Sequence, residues 1–211
     1  KEELKITGGV ITINAKNVGI KGTDSVAICD GTIKITSEGD GIKSTKTNDD
    51  TKGWVSIDGG KITIDSAKDG IQSENILQVT GGVLNIESGV GSANAIMKIS
   101  DTATSTQGSV GPANQSTETD TTTTETSSAK GLKAGTYLYI TDGTLNIDSS
   151  DDTINAKETC IIDGGKIQLS SGDDGIHADS NLIIFDGDIT ISKSYEGLDS
   201  EKITINGGTI D

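Results

Sequence analysis

Hydrophobic residues recur with a period of 22 residues along most of this chain. In each unit, apolar side chains stand five and three positions before a turn glycine and two and four positions after it. The turn glycines are Gly9, Gly31, Gly60, Gly82, Gly143, Gly165, Gly187 and Gly208. Alternation in steps of two on both sides of a glycine is typical of a strand, a turn and a second strand.

A third short strand is predicted where an apolar residue follows a second repeated position, which is glycine except at Thr153. Three strands per unit fit a coil with three sides, whose equivalent residues stack into parallel sheets. The pattern therefore predicts an all-β, single-domain fold over residues 1–211: a right-handed parallel β-helix of about eight coils. A β-sandwich is the alternative, but its strands would not share one inward register over eight units.

Two insertions lengthen the repeat without changing its phase, one within residues 45–53 and one within residues 89–128. The second contains a Ser/Thr-rich stretch at residues 116–128, which has too few apolar residues to fold by itself. We expect surface loops. The functional alternative is a wall or lid beside a binding groove, because both insertions emerge on the side that carries the acidic motifs.

The charge of the chain restricts its partners. It has 17 basic residues, all lysine, against 32 acidic ones, for a net charge of −15. A nucleic acid or an anionic membrane is therefore not an expected partner, and the chain lacks an apolar run long enough to span a membrane. Cys29 and Cys160 fall four coils apart, about 19 Å, which is beyond disulfide reach.

Acidic residues form a column just before the third strand of successive coils. Its members are Asp40, Asp69, Asp152, Asp174 and Glu196, with Asp151 and Asp173 one residue earlier in their coils. Coils rise by about 4.8 Å, so the five acids of residues 151–196 repel unless some protonate or a cation binds. Calcium takes six to eight oxygen ligands in tolerant geometry, so we predict calcium there and, more weakly, at Asp40 and Asp69. Solvated Asp-Gly turns are the alternative.

The histidine and the scarce aromatic residues supply candidate carbohydrate contacts. His177 is the single histidine, and beside Asp174 it is a candidate metal ligand, base or sugar contact, although an exposed turn histidine often has no such role. Trp54 and Tyr137 share one position two coils apart, about 9.6 Å, close to the repeat of a β-1,4-linked glucan. With Tyr139 they predict a stacking face; alternatively, Trp54 covers the first insertion and Tyr137 fills a corner.

Four sequence runs resemble a known family: SAKGLKAGTYLYITDGT, SSDDTINA, SGDDGIHAD and SYEGLDSEKITINGG. They are similar to bacterial calcium-binding, carbohydrate-binding right-handed β-helix proteins, which resemble pectate lyases in fold. The resemblance implies binding of cellulose and of acidic plant polysaccharides such as polygalacturonate. It places the metal-site acids on Asp151, Asp152, Asp173, Asp174 and Glu196. Thr153 and Lys130 depart from the family pattern and divide the column.

We expect an extracellular or cell-surface protein that is monomeric and binds a polysaccharide. We also expect the chain to be a piece of a longer protein. One alternative is a calcium-dependent polysaccharide lyase, which needs a base within hydrogen-bond reach of the substrate. Lys21, Lys43 and Lys133 face outward, but none lies in the coils with the densest acids. The other alternative is an adhesin stalk that calcium only rigidifies.

Overall fold

The computed structural model describes residues 3–95 and 128–211. Within these ranges strands follow one another, joined by turns and loops, and no helix interrupts them. They stack as a parallel β-solenoid of about eight turns with a spacing of about 22 residues. The predicted all-β repeat fold is therefore confirmed. The same residues include no helix long and apolar enough to cross a membrane.

Each coil has three faces, which follow from the three strands of the repeat. The first face, before the turn glycine, holds β5 (Trp54–Ile57), β8 (Leu77–Val79) and β11 (Tyr137–Ile140). The second face, after that glycine, holds β6 (Lys61–Ser66), β9 (Val83–Ser88), β12 (Thr144–Ser149) and β17 (Thr209–Ile210). The third face holds β2 (Ile20–Gly22), β4 (Ile42–Ser44), β7 (Ile71–Ser73), β10 (Leu132–Ala134) and β13 (Ile154–Ala156).

Five longer strands bend through a corner and contribute to more than one face. They are β1 (Glu3–Ala15), β3 (Ser25–Ser37), β14 (Thr159–Ser171), β15 (Ile176–Lys193) and β16 (Leu198–Ile205). Pairing is parallel and joins equivalent residues of neighbouring coils. The long insertion does not disturb it, because Ile71 before the insertion pairs with Leu132 after it, and Leu132 pairs with Ile154.

The core is a set of apolar ladders inside the coils. On the third face, Ile42, Ile71, Leu132, Ile154 and Ile176 are completely buried and lie one above another. Burying one such side chain stabilises the fold by about 1.5–3 kcal/mol. The ladders fix which residues point outward, and they therefore position the site side chains on the three outer faces.

The corner before the third face is too narrow for most side chains. A Cβ at Gly41 would lie 2.5 Å from the carbonyl oxygen of Gly70 in the next coil and would overlap Ile64. Thr153 occupies the equivalent position in its coil, is buried, and donates a hydrogen bond from its hydroxyl to the carbonyl oxygen of Gly175. The acids directly before this corner are consequently held on a backbone with little freedom to move.

The cysteines and the insertions agree with the predicted register. Cys29 and Cys160 are free thiols, and burial raises the pKa of Cys160 to about 12. Asn75 holds the first insertion by donating hydrogen bonds from its amide to the carbonyl oxygens of Asp50 (2.8 Å) and Lys52 (3.2 Å). Of the second insertion, residues 89–95 and 128 are described, so the prediction for the stretch at residues 116–127 lies outside the described residues.

Candidate functional site

The predicted acids meet at the corner between the second and third faces. Asp151 and Asp152 follow β12, Asp173 and Asp174 follow β14, and Glu196 follows β15. The pairing of Ile154 with Ile176, and of Ile176 with Leu198, stacks them in three successive coils. We call the set Asp151, Asp152, Asp173, Asp174 and Glu196 the acidic corner.

A lysine neutralises the first coil of the acidic corner. The Lys130 ammonium lies 2.9 Å from Asp151 Oδ1 and 2.7 Å from Asp152 Oδ2. Burial alone would lower the pKa of Lys130, but Asp152 and Asp151 outweigh it, so that pKa is raised. Burial would raise the pKa of Asp151, and Lys130 outweighs that effect, so the pKa of Asp151 is lowered. Lys130 and Asp151 therefore stay charged together.

Two further donors complete the surroundings of Asp152. The amide of Asn155 donates a hydrogen bond of 2.8 Å to Asp152 Oδ2, and the backbone N–H of Asp174 donates one of 3.2 Å to Oδ1. Asp152 is only 4% exposed, so these contacts replace the water that it loses on folding. The first coil of the acidic corner is thus satisfied within the protein.

Asp174, one coil further on, has no such compensation. It is 7% exposed, and its Oδ1 has no hydrogen-bond partner among the described residues. Burial, followed by the charges of Asp152, Asp173, Glu196 and Asp199, raises its pKa to about 6. A buried carboxylate oxygen without a partner is costly, and its neighbours here are anions.

His177 lies next to Asp174 and is surrounded by carboxylates. Its Nδ1 is 2.7 Å from Asp199 Oδ2 and 3.6 Å from Asp174 Oδ2, and its Nε2 is 3.0 Å from Asp179 Oδ1. Both Nδ1 contacts are electrostatic, because Nδ1 has no hydrogen-bond partner among the described residues. Burial would lower the pKa of His177, but Asp179, Asp152 and Asp199 together raise it.

Two groups of side chains in this region could hold a cation. In each group the ligand atoms lie within 4.8 Å of one another: Asp151, Asp152 and Asp173 in one, and Asp174, His177 and Asp199 in the other. Glu196 is exposed and belongs to neither, although its charge acts on Asp174. Asp199 was missed as a ligand by sequence reasoning. Its pairing with His177 one coil earlier is the signal that could have identified it.

The donor chemistry fits calcium at the acidic corner. Calcium prefers carboxylate, carbonyl and water oxygens, and the Asp174 oxygen that lacks a partner lies among four other carboxylates. Lys130 already forms ion pairs with Asp151 and Asp152, so the fit is better at Asp174 than at the first coil. Asp174 and Asp199, with His177 as the third member of their group, are the residues that would hold the ion.

The second predicted pair, Asp40 and Asp69, lies in the same column nearer the start of the solenoid. Asp40 forms an ion pair of 3.0 Å with Lys43. Asp69 receives hydrogen bonds from the Ser128 hydroxyl (2.7 Å) and the backbone N–H of Lys130 (2.9 Å), and its Oδ2 is 3.1 Å from the Lys133 ammonium. Each carboxylate has a lysine partner, and metal binding there stays a prediction.

The predicted aromatic face divides into two parts. Trp54, Ile76 and Tyr137 are in register, since Val55 and Leu138 both pair with Leu77. Tyr137 is 38% exposed and stacks on Tyr139, with ring centroids 6.2 Å apart and planes at 30°.

Trp54 is half-buried and faces the first insertion. It lines a cavity of about 260 Å³ together with Asp24, Thr51 and Lys52. Tyr137 is therefore the exposed ring of the predicted face, whereas Tyr139 is half-buried like Trp54. A role of these residues in sugar binding stays a prediction.

The comparisons with known proteins agree with a binding role. No curated protein and no solved structure matches the chain. One family model, described as carbohydrate-binding domain-containing protein, matches residues 1–175, which include four acids of the acidic corner. The match covers well over half of the chain, and the chain therefore belongs to the family of carbohydrate-binding domain-containing proteins.

Proposed function

We propose that this chain is an extracellular binder of plant cell-wall polysaccharide, and that calcium at the acidic corner holds acidic sugars of the polygalacturonate type. One observation carries the proposal: Asp174 Oδ1 is buried, lacks a hydrogen-bond partner among the described residues, and lies among four other carboxylates. At neutral pH a group with a pKa of about 6 is mainly ionised, so this charge calls for a cation.

The residues of the site divide the work between them. Lys130 neutralises Asp151 and Asp152 and keeps them in place. Asp174 and Asp199 supply carboxylate oxygens toward an ion, and His177, the third member of that group, lies 2.7 Å from Asp199. When bound, calcium would offer its remaining coordination positions to a uronate carboxylate. This explains how a protein with a net charge of −15 could hold an acidic polymer.

A neutral polymer such as cellulose would contact the tyrosines of the first face and not the acidic corner. Tyr137 presents an exposed ring on the first face, stacked against the half-buried ring of Tyr139. Aromatic side chains offer a large apolar surface with a polar tip, which suits the mixed apolar and hydroxylated surface of a sugar ring. The tyrosine pair therefore supports a contact with one neutral sugar, independently of calcium.

Binding is favoured over the lyase alternative by the state of the outward lysines. A lyase needs a base that can take a proton from the substrate. Lys43 is paired with Asp40, and Lys133 with Asp69, so both ammoniums are committed to carboxylates. Lys21 lies on β2, near the start of the solenoid, and is several coils away from the acidic corner.

Binding of polygalacturonate in calcium and in chelator tests the proposal, with wild type and Asp174→Asn compared. Wild type should bind only in calcium, and Asp174→Asn should lose most of that binding because it removes the carboxylate. Asp188→Asn is the matched control, since it removes an exposed acid from the second face of the next coil. Equal binding with and without calcium would contradict the proposal, and calcium-dependent stability without sugar binding would favour the stalk.

A further inference from the structure

A groove runs along the second face of the solenoid, and its lining ends at Asp148 and Ser170, three residues before the acids of the acidic corner. It has a volume of about 390 Å³ and spans residues of coils three to seven. Its floor is the outward column that contains Thr63, Asn85, Asn146 and Gln168, which pair in register from coil to coil. Five coils at about 4.8 Å per step give a surface about 19 Å long.

The floor of the groove presents unused amide groups. The Asn146 amide donates a hydrogen bond of 3.0 Å to Asn85 Oδ1. This leaves the Asn85 N–H groups and the Asn146 oxygen without a side-chain partner among the described residues, and the Gln168 amide makes no side-chain hydrogen bond there either. An amide offers donors and an acceptor side by side. A sugar hydroxyl both donates and accepts, so neighbouring hydroxyls can satisfy such a group.

One edge of the groove is acidic. Asp65, Glu87 and Asp148 form the outward column two residues beyond the floor. Within the described part of the chain, neither Asp65 nor Glu87 has a cationic partner. These carboxylates can accept hydrogen bonds from hydroxyls, and they repel a uronate. The charge of the groove therefore selects a neutral sugar chain.

The stem of the long insertion closes the groove toward the acidic corner. The Ser92 backbone N–H donates a hydrogen bond of 2.6 Å to Asp148 Oδ1, and its hydroxyl lies 2.7 Å from that of Ser170. The Lys193 ammonium donates to the Ser92 carbonyl oxygen. Ser92 is 3% exposed, so this wall is packed in place. A preformed groove costs a ligand less ordering than a mobile surface does.

We propose that this groove binds an extended neutral β-linked glycan, which lies along the solenoid axis with successive sugars over successive amide rows. The inference rests on the carbohydrate binding of the proposed function, but not on calcium. The coil rise of about 4.8 Å is close to the length of one β-1,4-linked sugar. The tyrosine pair lies within a single coil and covers one sugar, whereas the groove contacts several. The groove is therefore the main surface for a neutral chain.

The test is a calorimetric titration of the full chain with cellohexaose in chelator. Gln168→Ala should weaken binding about fivefold, the effect of one lost hydrogen bond. Thr63→Ala combined with Gln168→Ala should weaken it further. Both side chains point outward and Gln168 makes no hydrogen bond among the described residues, so folding should be unaffected, which a thermal melt checks.

Gln78→Ala is the matched control, because Gln78 is an exposed strand glutamine on the first face, beside Tyr139. It should leave cellohexaose affinity unchanged. The inference is overturned if Gln168→Ala binds like wild type, if Gln78→Ala or Tyr139→Ala costs more than Gln168→Ala, or if wild type does not bind cellohexaose.

The two proposals fail separately. Gln168→Ala should keep the calcium-dependent binding of polygalacturonate, and Asp174→Asn should keep that of cellohexaose. Loss of calcium dependence alone would remove the proposed function of the acidic corner and leave the groove. Loss of cellohexaose binding alone would remove the proposed role of the groove and leave that of the acidic corner.

Discussion

The acids at the corner between the second and third faces have different charge partners at the two ends of the solenoid. In the early coils, Asp40 is paired with Lys43, and Asp69 with Lys133. In the later coils, Asp174 faces His177 and the acids around it. The difference arises in one outward column of the third face, which reads Lys21, Lys43, Gln72, Lys133, Asn155, His177 and Asp199.

That column changes from basic to acidic along the axis while the backbone repeat stays constant. Where it carries lysine, the corner is neutralised from within and serves the structure. Where it carries histidine and aspartate, the corner keeps an excess of negative charge. The fold therefore supplies the same scaffold throughout, and a few side chains decide which part is available to a cation.

The largest effect is expected from Lys130→Met, which removes the cation that two acids share. Unfolding in urea at pH 7 in chelator should show a loss of about 3 kcal/mol, because the buried carboxylate of Asp152 would be left without its cation. Calcium should restore part of this loss, because the ligand atoms of Asp151, Asp152 and Asp173 lie within 4.8 Å of one another and could hold an ion in place of the ammonium.

Lys43→Met provides the comparison in the early coils. It leaves Asp40 unpaired, so some stability should be lost, but the neighbouring Asp69 keeps Lys133 and calcium should restore little. If calcium rescues Lys43→Met and not Lys130→Met, the distinction between the two ends of the corner is wrong.

Smaller changes in stability, opposite in sign to each other, are expected from neutralising Asp69 and Asp174. In chelator at pH 7, Asp69→Asn should lower the melting temperature, because it weakens the contacts with Lys133 and Lys130. Asp174→Asn should raise it, because it removes a charge that the protein does not compensate. A melting temperature that falls in both variants would mean that Asp174 is satisfied in the metal-free protein.

The pH dependence sharpens the prediction for Asp174. Its pKa is about 6 in the folded chain against an ordinary 3.8, so the folded state binds the proton more tightly. Stability that depends on the protonated form is therefore lost as the pH rises from about 4 through 6. In chelator, the advantage of Asp174→Asn over wild type should grow across that interval and then level off.

The smallest effect is expected at His177, which is partly exposed. Its pKa is raised in the folded state, so its stabilising contribution is present below pH 6.5 and disappears as the pH rises through the folded value. His177→Gln should therefore cost less than about 1 kcal/mol at pH 5.5, after solvent screening, and nothing at high pH. A cost that is independent of pH would indicate a packing role instead.

The fold could be predicted from the sequence because the physics that determines it is periodic. Each inward position, such as that of Ile42, Ile71 and Leu132, repeats the same burial in each coil, and the steps survive a long insertion. Stacking of Asp151 with Asp173, and of Asp152 with Asp174, follows from the same register. The location of the acidic corner was therefore predictable from the sequence.

Its internal chemistry was not predictable, because it depends on how far side chains reach between coils. The sequence showed Lys130 only as a departure from the acidic column, whereas its ammonium reaches both acids of the following coil. The accessibility of Trp54 depends on the path of the first insertion. The groove on the second face gave no sequence signal, since outward Asn, Gln and Thr residues are ordinary on a solvated strand.

An anomalous difference map from a crystal grown in calcium tests the central claim most directly. A peak is predicted within about 2.3–2.6 Å of Asp174 Oδ1, shared with the carboxylate of Asp199, and it should be stronger than any peak at Asp40 or Asp69. A map without a peak at Asp174, or with calcium only at Asp40 and Asp69, would contradict the account.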